Sequence, residues 1–131
     1  MGFFGLNHWG SSDNAAGFAS QIQDIECSWK QTKVRDRIRK LVAKEFKEQG
    51  NEYNTPGVLN IALVLESEGT GDQISATYIP IFSKYLDLRT LKKLHKDLIA
   101  ESKRWSKEFK PDIIRLAKSV NDKIKARQRR N

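Results

Sequence analysis

The sequence predicts an all-α fold: an irregular bundle of four or five helices, with a basic C-terminal helix, in one domain over residues 1–131. Three observations carry that expectation. Apolar residues recur at three- and four-residue steps through most of the chain, which gathers them on one side of a helix. Glycine, proline and short polar residues cluster between these runs, at 50–57, 68–72 and 110–112. A length of 131 residues suits a single domain with a modest core.

Ser11, Ser12, Asp13 and Asn14 open the first helix, because their short polar side chains can accept bonds from free first-turn amides. Ala15, Phe18, Ile22, Ile25 and Trp29 then form one apolar stripe, stepping by three and four. Val34, Ile38, Leu41, Val42 and Phe46 form a second. At about 100° per residue the two stripes lie nearly opposite each other. The helix therefore either breaks near 29–32 or runs on and packs against different partners at its two ends. Residues 58–65 are short and apolar enough for a buried strand, but Thr55 and Pro56 make a good N-cap and first helical residue, so a helix is favoured. A turn is expected at 68–72, and Pro80 interrupts any regular element at 78–82. Leu88, Leu91, Leu94, Leu98, Trp105 and Phe109 align along the next helix. Pro111 can open the last one, with Ile113, Ala117, Val120 and Ile124 on one side and a basic tail at 123–131.

Charge is segregated along the chain. Residues 1–29 hold three acids and no base; 30–47 hold eight bases and two acids; 48–83 hold five acids and no base; 84–131 hold sixteen bases and six acids. Blocks of one sign imply either an acidic partner or attraction between blocks within the fold. The bases are also ordered in space. Lys33, Arg37, Lys40, Lys44 and Lys47 step by four and three and share a helix face. Arg89, Lys93, Lys96, Lys103, Lys107 and Lys110 lie opposite the apolar stripe of the 88–110 helix, with Asp97, Glu101 and Glu108 off to one flank. Lys123, Lys125, Arg127, Arg129 and Arg130 add five bases near the end. Such rows suit the spacing of phosphates, and each cation that neutralises one releases a counterion. They are mainly lysine, a point charge that positions a backbone without reading base edges.

Other chemistry finds little footing. His8 and His95 lack ligand spacing with a second His, Cys or Asp, and His95 reads as a boundary residue. Cys27 cannot form an internal disulfide and is expected to be a small buried residue. Glu66, Glu68 and Asp72 miss the spacing of a calcium loop, so no metal or other cofactor is expected, nor an enzyme. No run approaches the length of a membrane span, and the start lacks the basic and apolar regions of a secretory signal, which points to the cytoplasm.

The opening places Phe3, Phe4 and Trp9 among glycines ahead of the first helix, either folded onto the core or exposed as anchors for a partner. Over its first 18 residues the chain resembles a small uncharacterised bacterial family that opens Met-Gly-x-Trp-Gly, an aromatic, then Asn-Asp-x-Ala-x-Asp-Phe. Phe4, Gly5, Trp9, Asp13, Ala16 and Phe18 match, with one residue inserted; Gly17 stands where the family has Asp. The resemblance implies a small, largely helical protein and supplies no activity.

The expected function is binding of nucleic-acid backbone, DNA or RNA, through the lysine-rich faces and tail. The alternative is an inhibitor or accessory factor, of the kind found in phages and mobile elements, that binds an acidic surface of a larger protein. Phe3, Phe4 and Trp9 would then serve as its apolar anchor.

Overall fold

The computed structural model describes residues 11–50, 55–69, 79–105 and 107–130. Five α-helices, α1 (Ser11–Ser28), α2 (Gln31–Phe46), α3 (Gly57–Ser67), α4 (Leu88–Arg104) and α5 (Lys110–Arg130), pack on one another, with one 3-10 turn at Ser83–Tyr85 and no strand among the described residues. The chain is an all-α bundle, as its periodicity predicts.

The centre of the bundle is α3. All of its residues are buried except Glu66, which is half-buried. A helix that is apolar all round must be covered all round, and α3 packs against each of the other four helices. The run at 58–65 is therefore a helix, chosen by burial on every side. Thr55 does not cap it: Pro56 remains extended at ψ 146° and the helix starts at Gly57, one residue later than expected. Gly57 is required there, since a Cβ would lie 1.7 Å from the Glu45 carbonyl oxygen, where α2 ends against α3.

The opposed stripes of α1 and α2 are resolved by a break. Ala15, Phe18 and Ile22 on α1, and Val34, Ile38 and Val42 on α2, are all buried. Trp29 lies between the helices, 42% exposed, so it leaves the stripe in which the spacing places it. The Arg37 guanidinium covers its ring at 3.7 Å. Cys27 is exposed, contrary to expectation. It sits two positions past Ile25, about 200° round the helix and away from the core.

α4 and α5 make the most extensive pairing of the bundle. Leu91, Leu94 and Leu98 on α4 meet a core completed by Ile113, Leu116, Ala117, Val120 and Ile124. α4 stops at Arg104, short of the 88–110 span read from the sequence, so Lys107 lies in the connecting turn and Lys110 begins α5. The helix α5 continues through the basic residues 123–130. No helix is long and apolar enough, among the described residues, to cross a membrane.

Candidate nucleic-acid interface

The basic row of α2 stands free of the core. Lys33, Arg37, Lys40, Lys44 and Lys47 are all exposed, while the buried Val34, Ile38 and Val42 face the opposite way. On α4, Arg89, Lys93, Lys96 and Lys103 are exposed, as is Lys107 in the turn; Lys110 is half-buried. Points of approach between the two helices follow the same order along each. The Arg39 Nε donates to the Tyr85 carbonyl oxygen at 3.0 Å, just before α4 begins. Further along, the Lys93 ammonium lies 4.8 Å from the centre of the Phe46 ring. Further still, Glu48 and Gln49 share a cavity with Asp97, Glu101 and Arg104.

Between the two helices lies a groove of about 430 Å³. Its apolar wall is Val42, Ala43, Phe46 and Leu86, and Arg39, Lys47 and Lys93 stand around it. One member of each basic row, Lys47 from α2 and Lys93 from α4, lines this groove, as does Asp87. Asp97 and Glu101 of α4 line the neighbouring cavity, and Lys96 and Lys103 line neither.

Besides Arg37 over Trp29, three of the sequence-predicted bases bond to the chain itself. Lys93 pairs with Asp97 at 2.8 Å across one helical turn. Lys123 pairs with the nearly buried Glu68 at 3.0 Å. Arg127 donates to the Leu86 and Ser83 carbonyl oxygens at 2.6 and 2.8 Å, which clamps α5 onto the loop before α4. Lys125 and Arg129 remain exposed. The side chain of Arg130 lies outside the described residues, as do Phe3, Phe4, His8 and Trp9.

Glu68 is a connection that sequence reasoning missed. Besides Lys123, its carboxylate accepts from the Phe82 and Ser83 amides at 3.1 and 3.0 Å and from the Ser83 hydroxyl at 2.6 Å. Its neighbour Glu66 forms an ion pair with Arg115. Attraction between the acidic 48–83 block and the basic 84–131 block therefore contributes to the fold. Those carboxylates are engaged with the chain itself, and no cluster of three or more metal-ligating side chains occurs among the described residues. His95 is half-buried on α4.

No protein-family model matches this chain, and neither does any curated protein or solved structure.

Proposed function

We propose that this chain is a non-enzymatic binding protein that engages nucleic-acid backbone through the lysine-rich faces of α2 and α4. The observation that carries this reading is the pair of exposed basic rows on α2 and α4, which approach each other at a groove that Lys47 and Lys93 line. Helical rows place cations at regular intervals, which matches a polymer of evenly spaced phosphates. Lysine-dominated contact favours backbone and shape over base identity.

The test is fluorescence anisotropy with random duplex DNA, single-stranded DNA and structured RNA across a salt series. Binding should weaken linearly on log–log axes, and the slope counts the phosphates neutralised. Lys40, Lys96 and Lys103 are the residues to reverse to Glu, because all three are exposed and lie outside the bonds that hold the fold together. That variant should keep the helical circular dichroism of the parent and lose binding. Unchanged affinity would refute the reading. Lys123 and Arg127 are unsuitable for this purpose, since removing them disturbs the fold.

The apolar wall of the groove favours a second reading, an accessory factor that docks on an acidic surface of a larger protein. Apolar anchors ringed by charge are typical of protein interfaces. Ala43→Trp separates the two, because it fills the groove without altering a charge. Backbone binding should survive that change; docking of an apolar anchor should not.

A further inference from the structure

Trp29 is placed by the turn between α1 and α2. Its amide donates to the Ile25 carbonyl oxygen at 3.2 Å, at the end of α1. Lys30 is then extended, at ψ 146°, and α2 begins at Gln31. This change of direction takes the indole out of the apolar stripe: Phe18 and Ile22 are 1% and 0% exposed, whereas Trp29 is 42% exposed. The other exposed large hydrophobics among the described residues, Ile81, Ile99 and Ile114, are not aromatic. A tryptophan that served only to pack would bury this area, because indole carries one of the largest hydrophobic surfaces of any side chain.

The ring is held from one side. The Arg37 guanidinium stands over it, 3.7 Å from its centre, which is stacking distance. Arg37 is also the second member of the α2 row Lys33, Arg37, Lys40, Lys44 and Lys47, all of them exposed. It makes no salt bridge among the described residues, so its charge is not cancelled within the chain. The row extends about 21 Å along the helix axis, with the indole near its N-terminal end. Ser28, Lys30, Gln31, Thr32 and Lys33 around Trp29 are exposed and polar. That surround differs from the packed apolar ring that shields the hot spot of a protein interface.

We infer that Trp29, backed by Arg37, is a stacking site for an unpaired nucleobase, which makes single-stranded nucleic acid the preferred ligand of the α2 row. The assignment rests on the nucleic-acid reading above and names the form of its ligand. Proteins hold single strands without sequence preference by pairing a basic track with an aromatic platform, because every base has a π-face. Bases within a duplex are already stacked on one another and offer no free face, whereas an unpaired base can splay onto an indole or a guanidinium plane. A strand laid along α2 sets its phosphates against Lys40 and Lys44 while one base reaches Trp29. The ring held by Arg37 loses little freedom when that base arrives.

The test is fluorescence anisotropy of the full chain with an oligothymidylate of about 15 nucleotides, an abasic chain of the same length, and a duplex. The parent should bind the oligothymidylate roughly tenfold more tightly than the abasic chain, which carries the same phosphates and no bases. Trp29→Ala should lose that margin and leave the abasic and duplex affinities, and the salt slope, as in the parent. Trp29→Phe should keep most of the margin and Trp29→Leu none, since leucine supplies bulk without a π-face. That pair decides the matter independently of the alanine variant, and at an exposed position all three should retain the parent's helical circular dichroism. The tighter of the oligothymidylate and an oligouridylate of equal length identifies DNA or RNA as the source of the base. Equal affinity of the parent for the oligothymidylate and the abasic chain would overturn the inference. So would an undiminished margin in Trp29→Ala, a margin in Trp29→Leu equal to that in Trp29→Phe, or an equal loss on the duplex. If no probe binds, the backbone reading falls and the stacking site with it; if all bind without regard to bases, the stacking site alone falls.

Discussion

Asp87 shows how much one side chain can contribute without being buried. Its Oδ1 accepts from the Thr90 amide at 2.8 Å and caps the first turn of α4. Asp87→Ala should cost about 1 kcal/mol, read as a lower midpoint in urea. The Thr90 hydroxyl and amide hold this carboxyl below its ordinary range, with Arg39 and Arg89 assisting. A lowered carboxyl binds its proton less readily in the folded state, so its stabilisation is present above the unfolded value of 3.8. That contribution is lost as the pH falls through the folded value, and the loss should be absent from Asp87→Ala. Glu68 is the opposite case, a carboxylate whose side chain is only 6% exposed and which joins three segments of chain. Glu68→Ala strands two backbone amides and Lys123 together, and should destabilise by roughly 3 kcal/mol. Two glycines give a matched pair for thermal melts. Gly57→Ala drives a Cβ into the Glu45 carbonyl and should be severely destabilising. Gly17→Ala has open space on a helix and should stabilise by up to about 1 kcal/mol.

At the scale of elements, what could be read from the chain was whatever depends on near neighbours. Stepping of apolar residues located four of the five helices, and α3 was favoured only on a cap signal at Thr55 and Pro56 that the structure does not use. The opposed stripes of α1 and α2 left open a break or a continuous helix, and the structure has the break, between Ser28 and Gln31. Trp29 and Cys27 escaped that reading because a stripe shows only which side faces inward, and not where the helix ends or how wide the covered arc is. The basic rows were visible for the same reason the apolar ones were. The groove between them was not, since it depends on α2 and α4, some forty residues apart, approaching each other. Thr55 looked like a cap from its place before a proline, yet the conformation of Pro56 moved the helix start and left the hydroxyl idle.

For the molecule as a whole, segregated charge serves two ends. Some is neutralised internally, where Arg115 and Lys123 of α5 meet Glu66 and Glu68 at the end of α3. Much of the remainder stands on α2 and α4 as rows of like charge spaced three and four apart, an arrangement that repels itself. Moderate salt should relieve more repulsion on the rows than it screens in the partly buried pairs. The thermal midpoint should therefore rise between about 0.02 and 0.3 M sodium chloride, whereas a fold held mainly by its ion pairs would show a fall. The wholly enclosed α3 has a consequence for biosynthesis. A polypeptide leaves the ribosome N-terminus first, so α3 emerges before α4 and α5 exist to cover it. Until those two arrive, the nascent chain carries a greasy rod with bare sides. That stage is where holding chaperones would find a target; a chain halted before Lys110 should be recovered with them or in inclusion bodies.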